Sequence, residues 1–207
     1  MQKTRWGPRT YDAAMVETGP RIPPLPAGEW DERLTRVLEL SPGGIEEPMH
    51  IFATLGRADP ELFRRWLAFG GALLSGRLPG RLRELVILRT AFRFGGRYEW
   101  AHHVEMGEAA GVTQAELTAL GGDLGTGAWT PLEDAALRAV DDTADAGAVS
   151  DATWAELANH LDESELIELL MLIAHYMMLT TVLRSLQVQL ELRAEAFAER
   201  VPGGPAA

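Results

Sequence analysis

The sequence predicts an all-α protein of eight or nine helices. Apolar residues recur at helical spacing through most of the 207 residues, and no segment alternates convincingly at the period of two that marks a half-buried strand. Helix-capping residues and glycine or proline stops divide the chain into segments of helical length. With 46% hydrophobic residues the chain is long enough for one substantial core, so we expect a single domain.

The two ends of the chain differ from this helical body. Residues 1–29 hold Pro8, Pro20, Pro23, Pro24 and Pro26, a density that forbids a regular helix and predicts an extended arm. Residues 30–200 are expected to form the all-α domain. Residues 201–207, which are rich in proline, glycine and alanine, are expected to be a disordered tail.

Local signals place each helix in turn. Two short helices are expected after Trp30 and after Pro48, the first ended by residues 41–44. Asp59-Pro60-Glu61 supplies a cap, a first-turn proline and a first-turn acid, which predicts a helix to about residue 74. The following helices are expected over residues 81–94, ended by two glycines, and over residues 97–110, ended by a third.

Capping motifs predict the starts of the later helices. Three pairs have the spacing of a capping box: Thr113 with Glu116, Thr130 with Glu133, and Asp162 with Glu165. A further helix is expected from Ser150 to about residue 161. The last long helix, from residue 163 to about residue 190, is apolar almost all round, so it should be central to the core or to a subunit contact.

The charge of the chain narrows the range of partners. The formal charge is −11, from 30 acidic and 19 basic residues, and the bases are scattered among the acids. This pattern argues against nucleic acid or an anionic membrane as a partner and favours a small molecule or another protein. Because no apolar run reaches the roughly 18 residues of a membrane span without a charge or a histidine, and the N-terminus lacks the apolar core of a signal peptide, we expect a cytoplasmic protein.

Three residue types exclude whole classes of chemistry. The chain has no cysteine, which rules out disulfides, thiol redox chemistry and thiolate metal sites. Its one lysine, Lys3, lies near the N-terminus, so a Schiff-base mechanism is excluded as well. Neither Ser41 nor Ser75 lies in the Gly-x-Ser-x-Gly turn of a serine hydrolase.

Acids and histidines are concentrated between residues 78 and 111. Glu99 and His103 are four residues apart and share a helix face, while the preceding helix carries Glu84 close enough to fold back against them. Two carboxylates and an imidazole in an apolar pocket move one another's pKa toward 7, as proton transfer requires. In the alternative interpretation, Glu84 pairs with Arg81, Arg83 or Arg89. The Glu99 carboxylate is then explained by its place near a helix N-terminus, where the helix dipole stabilises a negative charge.

Two other histidines carry separate hypotheses. His102 points about 100° away from His103 on the same helix, so both cannot face one pocket squarely. His175, within the apolar last helix, needs a polar partner if it is buried, either as a core residue or as a second wall of the site. The sequences Glu99-x-x-His102 and Glu47-x-x-His50 have the spacing of di-iron carboxylate proteins, which leaves a di-metal site as an alternative.

A longer pattern resembles a known family. The run Arg83-Glu84-Leu85, Leu88-Arg89, Tyr98-Glu99-Trp100-x-x-His103 and Gly111-Val112-Thr113 is similar to the carboxymuconolactone decarboxylase family, which includes alkylhydroperoxidase D-like proteins; the likeness extends over about residues 45–190. The peroxidase branch of the family has the motif Cys-x-x-Cys-x-x-x-His. Aligned on His103, its cysteines fall at Gly96 and Glu99 and its relay glutamate at Glu84, so thiol peroxidase activity is not expected here.

The resemblance implies a fold, an assembly and a reaction. It implies an all-α, cofactor-free and metal-free enzyme that forms homotrimers or homohexamers and decarboxylates a carboxylated lactone or a related small organic acid. His103 would be the general acid or base, with Glu99 and Glu84 setting its protonation. The residues expected to contact the substrate are Tyr98, Trp100, His102, Arg89 and His175. A catalytically inactive oligomer that binds a ligand in the same pocket is the alternative.

Overall fold

Ten α-helices make up most of the chain in this computed structural model, which describes residues 19–201 and 204–205. They are α1 (Glu32–Glu39), α2 (His50–Leu55), α3 (Pro60–Leu74), α4 (Gly80–Phe94), α5 (Arg97–Ala109), α6 (Gln114–Leu120), α7 (Pro131–Ala146), α8 (Asp151–Ala158), α9 (Glu163–Leu186) and α10 (Leu192–Arg200). No strand occurs within the described residues. The prediction of an all-α fold is confirmed.

Helix α4 lies at the centre of the fold and packs against α5, α7 and α9. Its residues are buried without a break from Glu84 to Ala91, because neighbouring helices cover all of its faces. Gly95 ends the helix in the left-handed conformation, with φ of 75°, and α5 begins two residues later. This tight turn folds α5 back along α4, which places the acids and histidines of residues 84–103 side by side.

The predicted helix starts are confirmed at each capping motif. The side chains of Asp59, Ser150 and Asp162 accept hydrogen bonds from the first turns of α3, α8 and α9. Thr113 and Thr130 open α6 and α7 with complete capping boxes. These local signals depend on neighbouring residues alone, which is why the sequence places them correctly.

A partly buried arginine joins two of these capping boxes. Arg81, in the first turn of α4, donates to Glu116 over 2.6 Å and to Glu133 over 2.7 Å. It also donates to the carbonyl oxygen of Gly111 over 2.7 Å. Arg81 is therefore bound to the starts of α6 and α7 and does not pair with Glu84.

Helix α9 is central, as predicted, and it also presents an apolar face to solvent. Leu169, Leu172 and Ile173 are buried in the main core, whereas Ile167, Met171 and Met178 are exposed. By length and composition α9 could cross a bilayer, but half of its most apolar window is buried inside the protein, as in the core helix of a soluble fold. The implied homo-oligomer stays a prediction, and this exposed stripe is where we would expect its contact.

The two ends of the chain depart from the predictions. The N-terminal arm is extended over residues 19–26 but forms a 3-10 turn at Ala27–Glu29, and residues 1–18 lie outside the described part. Helix α9 stops at Leu186 because Gln187 adopts a left-handed backbone, with φ of 55°, and α10 then packs on α5. The predicted disorder of the tail is wrong for Val201, which is buried among apolar side chains.

Candidate active site

Two pairs of polar side chains face each other between α5 and α9. His103 of α5 meets Tyr176 of α9, and one helical turn away Glu99 of α5 lies beside Thr180 of α9. The later residue of α5 thus pairs with the earlier residue of α9, so the two helices run antiparallel here. Residues four apart on a helix share one face, which stacks the two pairs about 6 Å apart.

The first pair belongs to a chain of three hydrogen-bonded side chains. Glu84 Oε2 lies 2.7 Å from His103 Nδ1, and His103 Nε2 lies 3.0 Å from the Tyr176 hydroxyl. All three side chains are buried, with relative exposures of 3%, 7% and 4%. With Glu84 ionised, His103 Nδ1–H donates to the carboxylate, and Nε2 is left to accept the Tyr176 hydroxyl proton.

The charges around Tyr176 favour its protonated form. Burial raises the pKa of Tyr176, and the negative charges of Glu84 and Glu99 raise it further, while Arg83 opposes them. Arg83 is the arginine nearest to Glu84, with 3.7 Å between its Nε and Glu84 Oε1, which is too long for a hydrogen bond. The predicted alternative, in which Glu84 is bound to an arginine, therefore holds only as a weak ion pair.

Glu99 is the least satisfied acid of the site. Burial raises its pKa to about 7, against the smaller opposing effects of its own backbone N–H, the Thr180 hydroxyl and the Arg184 charge. Within the described residues, neither Glu99 carboxyl oxygen nor Thr180 Oγ1 makes a hydrogen bond of good geometry, although each is buried. Unpartnered buried polar groups are rare in folded proteins and call for a specific explanation.

Because residue 96 is a glycine, there is room beside it for the side chains of Glu99 and Thr180. A Cβ atom at position 96 would lie 2.5 Å from Thr180 Oγ1 and 2.6 Å from Glu99 Oε2. Both distances are far below van der Waals contact, so a side chain at Gly96 would displace the Glu99–Thr180 pair. The two positions that align with the peroxidase cysteines, Gly96 and Glu99, are therefore adjacent in space and hold a carboxyl group.

Two predicted site residues, Tyr98 and His102, lie in a different cluster. The Tyr98 hydroxyl donates to Glu191 Oε1 over 2.6 Å, and His102 Nε2 lies 2.8 Å from Glu191 Oε2. The backbone N–H of His50 also donates to this carboxylate. Although burial opposes it, the contacts with His102, Tyr98 and His50 lower the pKa of Glu191. This cluster connects the start of α10 to α5 and α2, and no local sequence pattern indicates a role for Glu191.

Arg89 and Trp100 are also separated from the site. Arg89 donates twice to Asp141 over 2.8 Å and also to the carbonyl oxygens of Leu120 and Gly122, so its guanidinium is used within the fold. The prediction that it binds a substrate carboxylate is wrong in this structure. Trp100 is fully buried in the core between α4, α5 and α6 and does not wall the site.

His175 borders the site from the outer side of α9. Its ring contacts the Tyr176 ring edge-on at 5.5 Å and the Phe69 ring of α3 at 5.3 Å. Burial lowers the pKa of His175, so its neutral form is favoured. It therefore contacts Tyr176 from this side, and its role as a second wall of the site stays a prediction.

The two Glu-x-x-His motifs meet only through their histidines. His50 and His102 both lie beside Glu191, whereas Glu99 faces Thr180 and Glu47 accepts from the backbone N–H of Arg193. No group of three or more histidine and acidic side chains in residues 19–201 and 204–205 is arranged to hold a metal ion. The chemistry that the site supports is proton transfer among Glu84, His103, Tyr176 and Glu99.

Sequence reasoning missed Tyr176 and Thr180 as site residues. Both lie on the apolar helix α9, four residues apart, and both are buried. Their spacing was the available signal, because two hydroxyl groups on one buried helix face need polar partners. Their partners lie on α5, and only the tertiary fold identifies them.

Comparison with known proteins supports the predicted resemblance. Residues 60–142 match the model of the carboxymuconolactone decarboxylase family, and this segment contains Glu84, Glu99 and His103. A search of curated proteins finds no matching sequence.

Solved structures share the fold at low sequence identity. A peroxidase-related alkylhydroperoxidase AhpD core protein from Ralstonia eutropha JMP134 has a TM-score of 0.73 at 16% identity, covering 87% of this chain and 98% of the other. The debrominase Bmp8, in complex with 2,3,4-tribromopyrrole, has a TM-score of 0.70 at 18% identity, covering 87% and 96%. A putative antioxidant defence protein AhpD from Agrobacterium tumefaciens has a TM-score of 0.60 at 22% identity, covering 65% and 93%. At these identities the likeness shows a common fold.

Proposed function

We propose that this cysteine-free member of the carboxymuconolactone decarboxylase family is a cofactor-independent enzyme that transfers protons at carbon, most simply in the decarboxylation of a carboxylated lactone or a related small acid. The observation that carries the proposal is the buried chain Glu84–His103–Tyr176, which lies beside the buried carboxyl of Glu99. Burial raises the pKa values of Tyr176 and Glu99, and shifted values of this kind are typical of acid–base catalysis.

Tyr176 is the group that meets the substrate in this mechanism. Both ring nitrogens of His103 are occupied, one by Glu84 and the other by the Tyr176 hydroxyl, so His103 acts through Tyr176. When His103 is protonated, Tyr176 donates its proton to carbon and takes the Nε2 proton of His103. The Glu84 carboxylate stabilises the imidazolium form, as the acid does in other carboxylate–histidine pairs.

The decarboxylation step balances without any redox partner. The bond between the carboxylate and the adjacent carbon breaks, CO₂ leaves, and the electron pair moves through that carbon onto a conjugated carbonyl oxygen. The enolate then takes the Tyr176 proton at carbon. Replacement of bromine by hydrogen, as a debrominase would require, consumes two electrons, and this chain has no thiol to supply them. The absence of cysteine therefore favours the acid–base reaction here.

The proposal is tested with a panel of carboxylated lactones and β-keto acids. CO₂ release is measured in D₂O, together with deuterium at the carbon that lost the carboxylate. Tyr176→Phe and His103→Gln should each lower turnover by about 10²- to 10⁴-fold, the usual contribution of a general acid or base. His160→Gln, at an exposed histidine paired with Glu156 on α8, is the matched control and should leave turnover unchanged.

Two results would contradict the mechanism. Full turnover in the Tyr176→Phe protein would remove Tyr176 from the reaction. Release of CO₂ with no solvent deuterium at the product carbon would show that no protein acid delivers the proton. A wild-type protein that binds members of the panel and turns none over would favour the alternative of an inactive ligand-binding protein.

A further inference from the structure

Helix α4 carries four arginines, and one of them is not used to hold the fold together. The other three bind carboxylates of α6 or α7 over 2.5 to 2.8 Å: Arg81, Arg89 and Arg93. Arg83 makes no hydrogen bond to any residue that the structure describes, and its ion pair with Glu84 joins Nε to Oε1 over 3.7 Å. The donors of this one guanidinium are therefore available to a ligand.

Arg83 lies beside the proposed proton-transfer chain and also reaches solvent. Its side chain is 18% exposed, whereas that of Glu84 is 3% exposed. Glu84 presents Oε1 to Arg83 and Oε2 to His103, so the guanidinium lies next to the first member of the chain. Its charge also acts on the last member, because burial raises the pKa of Tyr176 and Arg83 opposes this effect. Arg83 is therefore a cation that a molecule arriving from solvent can contact beside the chain.

The Glu84 carboxylate leaves most of this guanidinium free. A separation of 3.7 Å is too long for a hydrogen bond, and the Glu84 charge is already stabilised by the Nδ1–H of His103. An arginine has five N–H donors in a planar fork, which matches the two oxygens of a carboxylate. With Nε beside Glu84, the N–H groups of the two terminal nitrogens remain for a second carboxylate. In a protein of formal charge −11, an anionic substrate needs a local cation of this kind.

We propose that Arg83 determines the specificity of the site by binding a carboxylate that the substrate keeps through the reaction. This inference rests on the proposed function and gives Arg83 the role expected of Arg89 on the same helix. The bound group is not the carboxylate that leaves as CO₂. The charge of that group disappears as the bond breaks, so a cation there would stabilise the substrate more than the transition state and slow the reaction. A retained carboxylate keeps its charge throughout, and the substrate is therefore a small acid with a second carboxylate.

Binding of furan-2-carboxylate tests Arg83 without turnover. This planar anion has the five-membered oxygen ring of a lactone, and furan-2-carboxamide has the same shape without the charge. In NMR titrations at neutral pH we expect the wild-type protein to bind the carboxylate about 10-fold more tightly than the amide, because only the carboxylate offers the guanidinium a charged acceptor. Arg83→Met should remove this preference. Arg83→Lys, which keeps the charge without the planar fork, should retain part of it.

Arg138→Met is the matched control for the loss of one positive charge. Arg138 pairs with Asp134 on the surface of α7, so this variant should keep the full preference for the carboxylate. In turnover, Arg83→Met should raise KM about 10-fold for panel members with a second carboxylate and leave kcat unchanged, because a retained carboxylate is bound equally in the substrate and the transition state. A residue with only a structural role would not divide the two constants in this way.

The outcomes separate this inference from the proposed function. A wild-type protein that binds furan-2-carboxylate no more tightly than the amide, or that binds neither, would overturn the role of Arg83, as would an Arg83→Met protein that keeps the preference. A fall in kcat with an unchanged KM would overturn it too. Tyr176→Phe should keep the preference while it loses turnover. Loss of the preference in Arg83→Met, in a protein that releases CO₂ from no member of the panel, would leave the role of Arg83 standing and reject the decarboxylation.

Discussion

Arg81 and Glu84 lie three residues apart on α4, and each organises a group of buried acids in an opposite way. At Arg81 one guanidinium binds the carboxylates of Glu116 and Glu133. The Arg81 hydrogen bond lowers the pKa of Glu116. At Glu84 the partner is a histidine, and burial raises the pKa of the neighbouring Glu99 to about 7 against the smaller opposing effect of the Arg184 charge. The fold holds the first group ionised and the second able to exchange a proton.

The difference lies in how the cost of burying charge is met. A carboxylate removed from water is stabilised only by hydrogen bonds and an opposite charge. Glu133 illustrates this: burial would raise its pKa, but the Thr130 backbone N–H and Arg81 together lower it. For Glu99 most of the unfavourable effect of burial on the ionised form remains, because Thr180 and Arg184 offset it only in part. A buried acid left in this condition is a marker of function.

Removal of the Arg81 guanidinium should have the largest effect on the free energy of unfolding. In Arg81→Met the carboxylates of Glu116 and Glu133 stay partly buried without their shared cation. Loss of one partner of such a pair costs about 3–5 kcal/mol, and partial exposure places the expected loss near the lower end. Urea unfolding at neutral pH measures it.

Arg138→Met is the matched control for this variant. Arg138 pairs with Asp134 on the surface of α7, with both side chains more than 40% exposed. Exposed pairs contribute less than about 1 kcal/mol, so the control should lose little stability. Equal losses in the two variants would mean that the buried network is no more important than a surface ion pair.

Glu99→Gln should have the next largest effect, with the opposite sign. The folded-state pKa of about 7 lies above the ordinary glutamate value of 4.5, so the folded state binds a proton more tightly than the unfolded state. The stability linked to Glu99 is fully present below pH 4.5 and is lost as the pH rises to 7. At pH 8 the ionised carboxylate costs about 3 kcal/mol, at 1.36 kcal/mol per pKa unit.

The variant should therefore be more stable than wild type at pH 8 and close to it at pH 4.5. Thermal unfolding at the two pH values gives this difference directly. Glu156→Gln, at a half-exposed acid of α8 that pairs with His160, is the control for the same chemical change outside the site. An identical pH profile for wild type and Glu99→Gln would mean that Glu99 is ionised in the folded protein at neutral pH.

The sequence identified one half of the candidate site and could not identify the other. Glu99 and His103 are predictable because both lie on one helix, where a spacing of four fixes a common face, and Glu84 follows from the tight turn at Gly95-Gly96. Tyr176 and Thr180 join them only through the antiparallel register of α9 against α5, which is set by the packing of the whole core. Helices α3, α6, α7, α8 and α9 were predictable from capping residues that act within four positions.

His102 is a second residue whose partner could not be identified from the sequence. Its partner Glu191 lies 89 residues away in sequence, at the start of a helix that the sequence did not predict. A pattern of adjacent histidines therefore suggested one site where the structure has two clusters. Long-range polar contacts of this kind leave no periodic signal in the sequence.

Glu191→Gln should have the smallest of the three effects and a pH dependence opposite to that of Glu99→Gln. The pKa of Glu191 is lowered in the folded protein, so its ionised form contributes stability above the ordinary glutamate pKa of 4.5. That stability is lost as the pH falls through the folded-state pKa. The variant should lose about 1.5 kcal/mol at neutral pH, the scale of one hydrogen bond to a charged group. This loss should shrink in acid, whereas the stabilisation from Glu99→Gln grows in base. Urea unfolding of both variants at pH 4 and pH 8 measures the two slopes, and slopes of the same sign would mean that these buried acids do not differ as their surroundings imply.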